Sequence, residues 1–265
     1  MKGKRPLVSI IMNSHNGDQY LQKSINSILK QSYKNWELIF WDNCSFDKTK
    51  EKLGKIKDER IKYFYSKKFN TLYKSRNLAI KKAKGKYVCF LDVDDQWEKS
   101  KISEQVKKLE KKREFFIYSN YQINNKLKTK KKLRFKGRMP EGKISQKLLD
   151  NYFLGIITVM LKRSIFKKFK FDEKYDIIGD FDLFIRLSLK YKFLTVQKPL
   201  STYNIHGENL SLKKINTYIN ELQNWIKDKE KMFPAHLSLK RLKLYLIKLK
   251  IKKLVKNFTT PILGM

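Results

Sequence analysis

The chain has 265 residues, enough to bury a sizeable core, and its 41% hydrophobic content with 35 Phe, Tyr and Trp residues excludes general disorder. A formal net charge of +36 calls for an anionic partner, whether nucleic acid, an anionic membrane or an acidic substrate. Only nine of the 61 basic residues are Arg, and a lysine excess spread along the whole chain argues against nucleic acid, which the Arg fork reads best.

Leu7 to Met12 reads as a first strand, followed by a polar turn and by Asp18 as a candidate helix N-cap. Leu21, Ile25, Ile28 and Leu29 share one face of the helix that comes next. Trp36 to Trp41 is a second apolar run and stops at Asp42. Asp47 opens a lysine-rich helix to about Lys57, Ile61 to Tyr65 is a third strand, and Leu72 to Lys84 is a helix carrying Arg76 and Asn77 and closed by Gly85. Val88 to Leu91 lacks a helical period and is rich in β-formers, as a strand buried on both faces would be. It breaks into Asp92, Asp94 and Asp95. Such close carboxylates raise one another's pKa unless a cation sits among them. A hard divalent metal bound with a substrate phosphate would resolve the conflict; a solvated acidic turn accounts for the same residues.

The alternation of strand and helix predicts a parallel sheet built from right-handed crossovers, with all strand carboxyl ends along one edge. Ligands bind at that edge in open α/β sheets, and Ser14, Asp42 and Asp92 to Asp95 would converge there, which favours the metal reading. Neither a Gly-x-x-x-x-Gly-Lys loop nor a Gly-x-Gly-x-x-Gly fingerprint occurs, which disfavours P-loop and dinucleotide enzymes. Met12 to Gly17 likewise lacks the Gly-rich loop of a sugar-phosphate nucleotidyltransferase. Cys44 and Cys89 are too few and wrongly spaced for a zinc cluster and read as reduced core thiols. The first apolar run is too short for a signal peptide and no run reaches transmembrane length, so a cytoplasmic protein is expected, with membrane contact only at a surface.

Val8 to Asn16, Tyr20-Leu21, Ser24-Ile25, Ser27 to Ser32, Glu37 to Ile39, Asp42 to Thr49, Arg76-Asn77 and Leu91 to Asp95 resemble, in order and spacing, the motifs of glycosyltransferase family 2. The likeness continues through Thr158 to Arg163, Phe171-Asp172, Gly179 to Leu187 and Tyr203 to Ser211. It implies an α/β GT-A fold with a Rossmann-like, mostly parallel sheet flanked by helices. It also implies a nucleotide-sugar donor, a UDP-sugar first among them, and a Mn²⁺ or Mg²⁺ cofactor. The implied reaction is inverting transfer to a hydroxyl of a glycan or lipid-linked acceptor, in surface polysaccharide synthesis. By motif position Ser14, Asn16, Asp42, Arg76 and Asp92 would bind the nucleotide sugar, with Asp42 at the base. Asp94 and His206 would hold the metal, and Asp180 would be the general base. The family commonly has Glu, Asp-Gly and Arg where this chain has Gly179, Asn43-Cys44 and Asn204. Asp182 cannot share the helix face of Asp180 and is expected to pair with Arg186.

The resemblance assigns residues 1–211 to the catalytic domain, with a nucleotide-sugar half over 1–97 and an acceptor half over 98–211. Residues 212–265 form a basic helical extension. Lys126 to Lys136 reads as a solvated loop. After Pro234 a final helix of about 24 residues is expected, with Leu244, Ile247, Ile251, Leu254, Val255 and Phe258 in one stripe flanked by Lys243, Lys248, Lys250, Lys252 and Lys253. That pattern suits either an anionic membrane, at its inner face, or packing on the catalytic domain. The alternative to an enzyme is a basic binding protein with an inactive crevice, engaging nucleic acid or anionic membrane.

Overall fold

The computed structural model describes residues 5–125 and 130–254. Four strands come first, β1 (Val8–Ser14), β2 (Trp36–Asp42), β3 (Ile61–Tyr65) and β4 (Tyr87–Phe90), joined by α1 (Asp18–Leu29), α2 (Thr49–Gly54) and α3 (Leu72–Lys82). They lie parallel in the order β3-β2-β1-β4, as the alternating pattern predicts. The chain continues through β5 (Gln96–Trp97), α4 (Lys101–Lys112), β6 (Phe116–Asn125), β7 (Lys130–Leu133), α5 (Ser145–Asp150) and β8 (Met160–Lys162). It ends with α6 (Gly179–Lys190), β9 (Phe193–Ile205), α7 (Leu210–Lys213), α8 (Ile215–Lys229) and α9 (Lys240–Leu254). These later strands extend the same sheet as β4-β8-β6-β9-β5, with β8 antiparallel to both neighbours and β6 parallel to β9.

A buried carboxylate locks the centre of the parallel half. Glu37 on β2 accepts hydrogen bonds from Ser9 on β1 (2.7 Å), from Lys62 on β3 (2.6 Å) and from the Lys84 N–H (2.7 Å). Burial alone would raise the Glu37 carboxyl, but these donors outweigh it and hold the group below its ordinary value. Gly85 serves this junction: a Cβ there would lie 2.6 Å from the Ser9 nitrogen and 2.8 Å from the Leu7 carbonyl oxygen. Its role is thus close backbone approach. The expected helix cap is absent, because α3 already stops at Lys82 and Ala83 is extended.

Other local expectations shift in informative ways. Asp18 is the first residue of α1 and pairs with Lys52 at 3.0 Å, whereas Asp47 accepts from both the Asp18 and Thr49 N–H groups. One carboxylate therefore serves the amino termini of α1 and α2. Part of the lysine run expected as a loop is strand β7, antiparallel to β6, and its lysines suit an edge strand; residues 126–129 lie outside the described residues. Cys89 is buried in β4, where burial pushes its thiol up to about 12, while Cys44 lies in the loop after β2, outside the core.

The carboxyl-terminal helices join the same core as the sheet, through Leu222 and Trp225 of α8 and Leu242, Leu246 and Leu249 of α9. The described part of the last helix begins at Lys240, later than the expected start after Pro234, and Val255 and Phe258 lie outside the described residues. Among the described residues no helix is long and apolar enough to cross a membrane.

Candidate active site

A crevice of about 1010 Å³ runs along the carboxyl ends of β1 and β4 and on between α6, α8 and α9. Ser14, Asn16, Arg76, Asp92, Asp94, Asp180 and His206, expected from the sequence, all line it. Asp42 does not. It is 1% exposed, and its two oxygens accept from the Ser45 N–H and the Tyr63 hydroxyl, each at 2.8 Å. Asn43, the next residue, does face the crevice.

Five buried polar atoms of crevice-lining residues have no hydrogen-bond partner among the described residues: Asn13 Nδ2, Ser14 Oγ, Ser75 Oγ, Arg134 Nε and Tyr152 Oη. Buried polar groups are nearly always paired, so a cluster of orphans along one cleft marks where a polar ligand supplies the missing bonds. Asn16 is otherwise committed. Its left-handed backbone (φ 53°) and its bonds to Ser45 Oγ and the Phe46 N–H tie the β1 loop to the β2 loop.

The acidic turn after β4 resolves its own repulsion by giving each carboxylate a different partner. Arg76 of α3 donates to Asp92 Oδ1 at 2.7 Å. Asp95 is buried and accepts from the Asn204 N–H at 2.7 Å. Asp94 Oδ2 meets His206 Nε2 at 2.8 Å, at the end of β9. Asn204 donates to the Asp94 carbonyl oxygen and accepts from Asn124, so the residue that replaces the family's Arg is a buried clamp between β6, β9 and the turn.

The Asp94–His206 pair suits a shared metal site. Mg²⁺ and Mn²⁺ are often held by one or two protein ligands, with substrate phosphates and water completing the shell, and imidazole with carboxylate is an acceptable donor set. Among the described residues no group of three or more His, Cys, Asp or Glu is arranged to hold an ion without such help. Tyr20 stacks on the His206 ring with centroids 4.5 Å apart, and its hydroxyl lies 3.1 Å from Nδ1, which fixes the ring plane.

Asp180 also lines the crevice, in the first turn of α6. It does not cap the helix; its Oδ1 accepts from the Phe181 N–H (2.8 Å) and faces the Tyr73 hydroxyl (3.2 Å). Burial raises its carboxyl, and the charge of Arg76 only partly offsets this. Asp182, by contrast, is buried and spent: Arg186 and Trp225 both donate to it. Gly179 leaves room for the Tyr73 ring. A Cβ at 179 would sit 2.5 Å from the Tyr73 ring, so Tyr73 occupies that space and supplies the hydroxyl facing Asp180.

Several residues at the site were not singled out from the sequence. His15 stands edge-on between Phe46 and Phe69, at 5.9 and 4.7 Å, and Phe69 is 64% exposed beside it. Tyr121, Tyr152 and Arg134 also line the crevice; burial raises both tyrosine hydroxyls, and both lie near enough to Asp180 for its charge to raise them further. Isolated aromatics in loops have no period, so periodicity could not single out Phe46 or Phe69, although Phe46 falls within the Asp42 to Thr49 motif.

The family described as Glycosyl transferase family 2 matches residues 9–180, and the chain belongs to that family. It is 38% identical over 165 residues to the UDP-Glc:alpha-D-GlcNAc-diphosphoundecaprenol beta-1,3-glucosyltransferase WfgD of Escherichia coli, across 62% of this chain and 64% of that protein. The chain thus spans a little under two thirds of the length of that relative. Among solved structures, S. aureus TarS 1-349 in complex with UDP-GlcNAc superposes with a TM-score of 0.64 at 16% identity, over 96% of this chain and 74% of that one. The mannosyltransferase PcManGT from Pyrobaculum calidifontis, in complex with GDP-Man and Mn2+, gives 0.66 at 14% identity, over 92% and 70%. These likenesses identify the fold as GT-A, as the motifs imply.

Proposed function

We propose that this protein is an inverting glycosyltransferase that moves a sugar from a UDP-sugar to a hydroxyl of a lipid-linked glycan acceptor in surface polysaccharide synthesis, at the cytoplasmic side of a membrane. The observation that carries the proposal is a single crevice lined by unpartnered polar atoms, by the Asp94–His206 pair and by a recessed carboxylate, Asp180. The activity for which the Escherichia coli relative is named supports the donor and the diphospholipid acceptor.

In this reading the nucleobase rests against Phe69 and His15, and the ribose and phosphates take up the free bonding capacity of Asn13, Ser14 and Ser75. Arg76 holds Asp92 in place at the nucleotide end. Asp94 and His206 would hold Mn²⁺ or Mg²⁺, which supplies positive charge against the departing diphosphate when bound. Asp180 takes the proton from the acceptor hydroxyl as that oxygen bonds to the anomeric carbon from the face opposite the diphosphate. The bond from that carbon to the diphosphate oxygen breaks, UDP leaves with the electron pair, and the configuration inverts. A raised carboxyl suits this role, because a base works best with a pKa near the working pH.

The test is thermal stabilisation by UDP with and without Mn²⁺, followed by a panel of nucleotide sugars for metal-dependent hydrolysis. Metal-dependent stabilisation and turnover are expected. Salt-sensitive DNA binding with no response to UDP would overturn the proposal in favour of a basic binding protein.

A further inference from the structure

The final helix does not choose between the two roles its sequence leaves open. At about 100° per residue, Leu242, Leu246 and Leu249 fall on one side of α9 and Leu244, Ile247, Ile251 and Leu254 on the opposite side. The first set is buried in the core, which fixes the helix to the body of the protein. The second set is exposed at 49%, 52%, 53% and 80%. A helix with two opposed apolar faces has little net amphipathicity, yet each face is separately complete. The outer one is bordered by basic rows, Arg241, Lys248 and Lys252 on one flank and Lys243 and Lys250 on the other, and α9 contains no acidic residue. Only Lys243 among these five forms an ion pair among the described residues, with Glu230.

We propose that the outer face of α9 docks on an anionic lipid bilayer. Exposed aliphatic side chains between two rows of cations match the boundary between anionic headgroups and acyl chains, and a helix lying in that plane buries its apolar face there. A second copy of this chain is a poor occupant, since it brings the same cations and the same net charge of +36. The face also reaches the crevice, because Arg241, Leu244 and Lys248 line its edge. Docking therefore sets the acceptor end of the crevice at the headgroup level, where the sugar of a lipid-linked acceptor stands. The docking itself is independent of the transferase reading; only the delivery of acceptor rests on it.

The experiment is co-sedimentation of the full chain with phosphatidylglycerol vesicles and with phosphatidylcholine vesicles. Comparison variants are Ile247→Glu/Ile251→Glu and a charge-matched control on exposed lysines elsewhere, Lys81→Gln/Lys107→Gln. Binding to phosphatidylglycerol only is expected, falling by about tenfold or more in the isoleucine variant and much less in the control. Unchanged thermal stability and UDP-induced stabilisation show that the variant is folded; should it not fold, Ile247→Ser/Ile251→Ser replaces it with a smaller expected loss. Equal loss in variant and control would mean attraction by net charge alone and overturn the proposal. So would absence of vesicle binding, whether because the chain pairs with itself on a sizing column or because residues 255–265 cover the face. Loss of UDP response in the unmodified chain would instead count against the transferase reading and leave the docking result standing.

Discussion

Replacing Asp180 with Asn separates chemistry from architecture at one atom. The amide oxygen of Asn can keep both interactions that Asp180 Oδ1 makes, with the Phe181 N–H at 2.8 Å and the Tyr73 hydroxyl at 3.2 Å. It cannot accept a proton. A positioned base contributes about 10² to 10⁴ in rate, equivalent to roughly 3 to 5 kcal/mol of barrier, so transfer should fall by that factor. Stability should move the other way. Because burial raises the Asp180 carboxyl, the folded protein binds this proton more tightly than the unfolded chain does. The carboxyl therefore favours the fold at low pH, and that contribution is lost as pH rises through the raised folded value. At neutral pH a neutral Asn is expected to leave the melting temperature unchanged or higher. The assay is steady-state transfer across pH, with UDP affinity by calorimetry and melting temperature beside it. The unmodified enzyme should gain rate as pH rises through the Asp180 value, and the variant should lose that limb. Transfer within tenfold of the unmodified enzyme, or a parallel loss of UDP affinity, would refute the base assignment. Asp182 could not then inherit the role, since Arg186 and Trp225 already engage it.

Asp94→Asn should abolish transfer and remove the Mn²⁺-dependent part of UDP affinity while leaving metal-free UDP binding unchanged, as read by titration calorimetry with and without Mn²⁺. Lys101 is fully buried, held by Gln105 at 2.8 Å and by the Trp97 ring, and burial lowers its pKa from 10.5 to about 8. The buried charge thus opposes folding below about pH 8 and ceases to do so as pH rises toward the ordinary lysine value. Lys101→Met should stabilise at neutral pH by up to roughly 3 kcal/mol and flatten the stability gain otherwise seen on going to about pH 10, measured by denaturant unfolding. Gly179→Ala should cost about 1 to 3 kcal/mol by driving a methyl into the Tyr73 ring, and should slow transfer more than it weakens UDP binding, as turnover and calorimetry on the same sample will show.

The sequence by itself determined the local features of this protein. Each apolar run of the first half appears as a strand, with β3 at the expected residues, and the helix after Asp18 buries the expected face through Leu21, Ile25 and Ile28. Residues at the carboxyl ends of β1 and β4 meet in the crevice because parallel connections leave no other edge for them, and the motifs name the family because their order and spacing survive in the linear chain. These signals are local: a period, a turn residue, a run of like charge. Tertiary structure decided whatever depends on a partner distant in sequence. It spent Asp42 on Tyr63 and left Asn43 at the crevice, gave the space beside Gly179 to Tyr73, and made Asn204 a clamp between two strands and a turn. It also buried Lys101 in the core. In α9 the strongest apolar stripe in the sequence is the exposed one, because Leu242, Leu246 and Leu249 on the opposite side meet the core first. Periodicity describes which residues share a face, and only the packing of other elements against the helix selects which face is covered.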